Sequence, residues 1–145
     1  METLIIKPAE TVQVEEIQNL LKNSGLPFED INKHLKDFLC LMNNEEIIAV
    51  GGLEIYDDVA LLRSLAVVEG KRNQGLGQLV YSALIEHAKS KNIKQIYLLT
   101  ETAEKFFLKN GFIKVERNKI PETIKNTYEY KVLCAESAIV LMKNI

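Results

Sequence analysis

Leu65-Ala66-Val67-Val68-Glu69-Gly70-Lys71-Arg72-Asn73-Gln74-Gly75-Leu76-Gly77 is the stretch on which the reading of this chain turns. An apolar run with the character of a strand ends at Val68, and a short polar turn follows. Beyond it, Leu76, Leu79, Val80, Ala83, Leu84 and Ala88 recur at helical spacing and predict a helix to about Lys91. Arg72-x-x-Gly75-x-Gly77 therefore sits at a strand-to-helix junction. Glycine lets backbone approach a ligand closely because no Cβ intervenes. The first turn of a helix has amide N–H groups without intrahelical acceptors and a partial positive charge, which suits phosphate. Arg72 adds a fixed cation of the geometry phosphate oxygens prefer.

Several readings of this junction compete. Gly70 and Gly75 have P-loop spacing, but Leu76 and Gly77 follow where that loop needs Lys and Ser or Thr. A dinucleotide fingerprint beginning at Gly75 needs Gly or Ala at position 80, which is Val80. A coenzyme A pyrophosphate loop and an ordinary strand-to-helix turn both remain compatible with the residues.

The rest of the chain supplies an α/β frame. Thr3 to Lys7 reads as a strand ended by Pro8, and Thr11 to Lys22 as a helix stopped at Ser24-Gly25. A helical piece is expected from Phe28 to about Leu35, then strands over Lys36 to Met42 and Glu46 to Tyr56. Val59 to Val68 is apolar on both faces, the mark of a central strand covered on both sides. Lys94 to Thr100 reads as a second buried strand, joined to the first by a right-handed parallel crossover. A short helix over Ala103 to Asn110, a strand over Phe112 to Glu116, a helix opened by Pro121 and a last strand over Ser137 to Met142 complete the pattern. The expected architecture is one domain over residues 1–145, a mixed sheet of six or seven strands with helices on both faces.

Composition narrows the function. A chain of 145 residues is long enough for a sizeable core. A formal charge of -2 argues against a nucleic-acid surface. No run approaches the roughly 20 apolar residues of a membrane span, and the N-terminus lacks the pattern of a signal peptide. Cys40 and Cys134 stand far apart and the histidines are His34 and His87, so there is neither metal-ligand spacing nor a disulfide framework. A cytoplasmic protein is expected.

The glycine junction, with Leu98-Leu99-Thr100-Glu101-Thr102-Ala103-Glu104-Lys105-Phe106-Phe107-Leu108-Lys109-Asn110-Gly111-Phe112, resembles the GNAT family of N-acetyltransferases over nearly the whole chain. Leu62-Arg63-Ser64-Leu65-Ala66-Val67, Pro121-Glu122-Thr123-Ile124 and Leu133-Cys134-Ala135-Glu136-Ser137-Ala138 narrow the resemblance. They are similar to the arsenic-resistance N-acetyltransferases and, more distantly, to the acetyltransferase domain of N-acetylglutamate synthases. The resemblance implies acetyl-CoA as co-substrate and a small, carboxylate-bearing amine as acceptor, an amino acid or an amino-acid-like toxin. Homodimers are common in the family. A peptide acceptor and a non-catalytic acyl-CoA sensor are the alternatives.

The same resemblance assigns roles. Arg72, Asn73, Gln74, Gly75, Leu76 and Gly77 would hold the pyrophosphate, and Leu65, Ala66 and Val67 would polarise the thioester carbonyl through backbone N–H at a bulge. Thr100 stands where relatives often have asparagine; Ala103 is small enough for pantetheine to pass, and Phe106 would pack on the cofactor. Phe107 stands where many relatives have a tyrosine that protonates the thiolate, which leaves water, the acceptor's own proton or Cys134. Glu54 and Glu101 are candidate bases, with a water chain as the alternative. Arg63, in a buried-type strand, needs a carboxylate: Asp57, Asp58 or Glu54 of the protein, or that of the acceptor. Ser64 and Arg117 are further candidates for the acceptor's anion, while His87 reads as structural and His34 as a surface residue.

Overall fold

β4 (Val59–Val67) carries the molecule's main feature, a break in its pairing that opens a cleft. The computed structural model describes residues 3–133 and 138–145. Among these, the strands are β1 (Leu4–Pro8), β2 (Phe38–Asn43), β3 (Glu46–Tyr56), β4, β5 (Gln95–Thr100), β6 (Ile113–Lys114) and β7 (Ile139–Asn144). The helices are α1 (Val14–Asn23), α2 (Leu76–Ser90), α3 (Glu104–Lys109), α4 (Glu122–Lys125) and α5 (Tyr128–Leu133). The seven strands form one sheet in the order β1-β2-β3-β4-β5-β7-β6. β4 and β5 are parallel and the other neighbours antiparallel, as the expected crossover requires. Among the described residues no helix is long and apolar enough to cross a membrane.

Alternation along the strands divides the core between the two faces. Ala60 and Leu62 pack with Val80, Leu84 and Phe107 on the α2–α3 face. Leu61 packs with Ile120 and Ile124 on the other face, where Phe38 and Cys40 meet Ile17 and Leu21 of α1. The buried stripe of α2 is Leu76, Val80, Tyr81, Leu84, Ile85 and Ala88. Leu79, expected in that stripe, is 46% exposed. The stripe is rotated because Tyr81 packs edge-on against Phe106, Phe107 and Phe112.

Other boundaries shift for tertiary reasons. The helical piece expected from Phe28 is a 3-10 helix over Ile31–Asp37, and β2 starts at Phe38 and not at Lys36. The turn before it carries Asp30 inward to a partner on β4, and a helix begun at Phe28 would not deliver it. The strand expected over Phe112 to Glu116 shortens to Ile113–Lys114, an exposed edge pair on β7. α5 was not apparent in the sequence; Thr127 marks its start by accepting the Tyr130 N–H at 3.1 Å.

The break in β4 is a bulge. Its register against β3 steps from Val50↔Ala66 to Gly52↔Arg63, so Ser64 and Leu65 together face Gly51. Ser64 takes a left-handed conformation, φ +62°. The extra residue reverses the alternation: Leu62 and Leu65 both pack toward α2, while Arg63 and Ala66 turn to the other face. Pairing with β5 covers only Val59–Leu61, and past Leu61 the two strands separate.

Two glycines of β3 make room on either side of the bulge. A Cβ on Gly51 would lie 2.7 Å from a Leu84 methyl, and one on Gly52 would lie 2.3 Å from the Phe38 ring. The ring is rigid and fully buried. Gly52→Ala is therefore expected to destabilise the fold by at least about 1–3 kcal/mol, read as a lowered urea midpoint with an unchanged m-value.

Candidate functional site

The separation of β4 from β5 leaves a cavity of about 500 Å³ on which both sequence blocks converge. Leu62 to Val67 form one wall, Leu98 to Thr100 with Ala103, Phe106 and Phe107 the other, and Arg72 and Gly77 stand at one end. At α2 the N-cap is Gly75 with φ +78°, and no side chain caps the helix. The bond from Leu79 N–H to Gly75 C=O is 3.2 Å, so the N–H groups of Leu76, Gly77 and Gln78 precede the intrahelical ladder. A Cβ on Gly75 would meet nothing within 4 Å, so its requirement is the left-handed turn. Asn73 (φ +64°) and Gln74 are exposed in the loop, and the Leu76 side chain is buried.

Arg72 folds back over the mouth. Its Nε donates to Val67 C=O at 3.1 Å and Nη2 reaches Ser24 Oγ at 3.5 Å. The Val68 N–H donates to Ile48 of β3 at 3.0 Å. Alternation then turns the N–H groups of Leu65 and Val67 away from β3 and toward the gap. Two backbone donors thus face the space beside the bulge, the arrangement that stabilises a developing oxyanion. On the opposite wall, Thr100 Oγ1 accepts the Ala103 N–H at 2.9 Å and starts α3. Phe106 is half-buried, with its ring 5.0 Å from that of Phe107, which is buried.

Behind this wall lies a buried charge cluster around Arg63, itself 2% exposed. Nη1 donates to Asp30 Oδ2 and Glu54 Oε2, both at 2.7 Å. Nη2 donates to Asp30 Oδ1 at 2.8 Å and Pro27 C=O at 3.5 Å, and Nε to Ser64 Oγ at 3.0 Å. A guanidinium has five N–H donors, and these contacts engage all of them. Glu54 Oε1 accepts from Tyr56 Oη and lies 3.3 Å from His34 Nε2. Glu129 Oε1 stands 3.9 Å from Arg63 Nε, at charge contact and beyond a hydrogen bond.

Several expected roles change in consequence. Arg63 was a candidate for the acceptor's carboxylate; its donors belong to the protein's own carboxylates and carbonyl. Its partners are Asp30 and Glu54, while Asp57 and Asp58 are exposed in the β3–β4 turn. Glu54 was a candidate base; it is 1% exposed with both oxygens engaged. Ser64 lines the cavity but its Oγ accepts from Arg63. Arg117 does not line the cavity and donates to Ala138 C=O at 2.6 Å. Glu101 is exposed, and Cys134 lies outside the described residues. His34 belongs to the cluster and not to the surface. His87 ties α2 to Asp37 at 2.9 Å. Ligand atoms of Asp30, His34 and Glu54 lie within 4.8 Å of one another, and the cation that holds these carboxylates is Arg63.

Electrostatics follow the geometry. Burial alone would raise the Asp30 carboxyl, but the hydrogen bonds and charge of Arg63 outweigh it and hold it below the usual 3.8. Burial pushes the Glu129 carboxyl up to about 8, Arg63 opposing and the Glu54 and Asp30 charges adding to the rise. Sequence reasoning missed Asp30 and Glu129, since each reaches Arg63 only through tertiary folding.

The model of the acetyltransferase (GNAT) family matches residues 8–112. An uncharacterized N-acetyltransferase of Chlorobaculum tepidum is 28% identical over 97 residues, 66% of this chain and 62% of the relative. An amino-acid acetyltransferase of Buchnera aphidicola is 27% identical over 105 residues, 71% of this chain and 24% of the relative. The match thus spans less than two thirds of each of these relatives. N-acetylglutamate synthase from Neisseria gonorrhoeae, complexed with coenzyme A and N-acetyl-glutamate, superposes with a TM-score of 0.85 at 18% identity, over 98% of this chain and 35% of that one. An acetyltransferase of the GNAT family from Staphylococcus aureus gives 0.78 at 20% identity, over 98% and 99%. These structural likenesses are of fold.

Removing the cation from the cluster takes the guanidinium from Asp30 and leaves the buried Glu54 with Tyr56 and His34 alone. Arg63→Met is expected to cost about 3–5 kcal/mol of stability at neutral pH. Because Asp30 is held below 3.8, its pair with Arg63 stabilises the fold above the unfolded value. That stability is lost as pH falls through the folded value. Urea unfolding should show this loss in the wild type between about pH 5 and pH 2 and a weaker one in the variant.

Proposed function

The chain belongs to the acetyltransferase (GNAT) family and has its fold, and on that premise we propose that it transfers acetyl from acetyl-CoA to the amine of a small acceptor of the amino-acid class. The observation that carries this is the convergence, on one cavity, of an uncapped helix start and a strand bulge. The helix start, with Arg72 beside it, suits the pyrophosphate of coenzyme A. The N–H groups of Leu65 and Val67 suit the thioester oxygen as it gains negative charge. Between them, the gap from Leu62 and Leu98 outward is the space in which pantetheine would replace the missing strand pairing, beside Ala103 and Phe106. Residues and co-substrate fit: the first N–H groups of α2 precede its intrahelical ladder, and the β4 N–H groups lie past the end of the pairing with β5, where phosphate and carbonyl oxygens would need them.

The amino-acid class rests on relatives. Amino-acid acetyltransferases of Buchnera aphidicola and Photobacterium profundum are similar over 71% of this chain. It does not rest on Arg63, whose donors are engaged, so an acceptor carboxylate would be held by groups other than that guanidinium. Direct attack by the amine while both substrates are bound suits a cavity in which acyl and acceptor ends are continuous, and no buried nucleophile is needed. Cys40 is buried, and burial pushes its thiol up to about 12, far from the reactive thiolate range.

The test is release of free CoA from acetyl-CoA by the purified chain across free amino acids and amino-acid-like toxins, arsenic- and phosphorus-containing analogues included. Acceptor-dependent turnover is the expected outcome. Tight acetyl-CoA binding with no acceptor-dependent thiol would overturn the reading in favour of an acyl-CoA sensor, and turnover confined to peptides would overturn the small acceptor. Arg72→Ala should raise KM for acetyl-CoA about tenfold, the loss of one charge-assisted contact, and leave kcat near wild type.

A further inference from the structure

Glu129 is the one carboxylate of the Arg63 cluster that lines the cavity. It is 2% exposed. Its Oε2 has no hydrogen-bond partner among the described residues, and Oε1 approaches Arg63 Nε only to 3.9 Å, because that N–H is directed to Ser64. The side chain enters from α5, on the far side of β4 from α2, and stands beside the bulge. A buried acceptor without a donor is rare in native structures and calls for a missing partner. The surroundings define what partner fits. Arg63 faces Glu129 from β4, Glu54 from β3 and Asp30 from the turn before β2, with His34 beside Glu54. Arg63 is already bound by Asp30 and Glu54, so its positive charge is compensated before Glu129 is counted. The unpaired Oε2 therefore favours a donor that brings positive charge.

We infer that Glu129 Oε2 receives the ammonium group of the acceptor and takes its proton before acetyl transfer. The inference rests on the acetyl-transfer reading above and assigns that reading its base. One ammonium N–H bond breaks, its electron pair stays on nitrogen, and the proton passes to Oε2. The neutral amine forms the C–N bond to the thioester carbonyl carbon, and the Leu65 and Val67 N–H groups take up the charge on oxygen. The C–S bond breaks with its electrons on sulfur, and the second amine proton goes to the departing thiolate, giving the acetamide and free CoA. Glu129 then returns its proton to solvent. The thiolate needs no tyrosine, consistent with phenylalanine at position 107. Burial brings the Glu129 carboxyl to about 8, near the operating range of a general base. The ionised form is the active one, so kcat/KM for the acceptor rises with pH on the acid side of that value.

The experiment compares wild type with Glu129→Gln, using acetyl-CoA and two kinds of acceptor: free amino acids, whose amines arrive protonated, and hydroxylamine, which is unprotonated at neutral pH. The amide fills the same space, so Tm and KM for acetyl-CoA should stay at wild-type values. The variant should lose about 100-fold or more in kcat with the amino acid the wild type turns over. It should also lose the acid limb of the pH profile and keep hydroxylamine turnover within about threefold. Amino-acid turnover within about threefold of wild type would overturn the inference and leave acetyl transfer standing. Equal losses with both acceptors would overturn it in favour of a structural role. A wild type that acetylates neither hydroxylamine nor any amino acid would overturn the acetyl-transfer reading, and this one with it.

Discussion

A buried guanidinium organises this molecule. Isolated in the interior, Arg63 would be too costly to keep charged, and its presence obliges other segments to come to it. Glu54 arrives from β3, Asp30 and the Pro27 carbonyl from the turn before β2, and the Glu129 carboxylate from α5. The segment from Gly25 to Asp37, a turn followed by the 3-10 helix, meets the cluster at Pro27, Asp30 and His34. The geometry is bidentate toward Asp30, which fixes orientation as well as distance. Such a cluster is no simple gain in stability, since desolvation opposes the attraction. Its effect here is positional: it holds the turn and the strands in one register around the inner wall of the cavity.

The bulge at Ser64 joins that cluster to the chemistry. One extra residue reverses the alternation of β4, so that Arg63 turns to the face of the buried carboxylates and Leu65 to the face of α2. It also lies where β4 and β5 part, so backbone donors that would otherwise pair with β5 face open space. Gly51 and Gly52, opposite the bulge, admit Leu84 and Phe38 at distances a Cβ would not allow. The Ser64 hydroxyl accepts from Arg63 Nε, so the same residue bends the strand and orients the guanidinium. Cluster, bulge and cleft are one construction.

The charge arrangement bears on acceptor choice. The Arg63 guanidinium is already taken by two protein carboxylates, which leaves it poorly suited to a further one. The two ends of the cavity thus differ in chemistry: backbone N–H groups and Arg72 at the helix start, the Glu129 carboxyl with Arg63 and Ser64 beside the bulge.

The sequence by itself determined the parts whose cause is local. The β4–α2 junction was legible because an apolar period changes from strand to helix there, with two glycines and an arginine between. The parallel crossover, the extent of β3, the helix after Thr100 and the expectation of a bulge within Leu65 to Val67, one residue beyond where it falls, came from the same kind of signal or from family resemblance. That Arg63 needed a carboxylate was also legible, since burial of a guanidinium has a known cost. Which carboxylate met it was decided only by tertiary structure. Asp30 and Glu129 lie 33 residues before and 66 after Arg63, with no periodicity linking them to it. The rotation of α2 that exposes Leu79, the inward turn at Asp30 and the existence of α5 likewise depend on contacts between distant segments. Local propensity names elements, but a buried charge finds its partners in space, and that choice assigned the inner residues of this site.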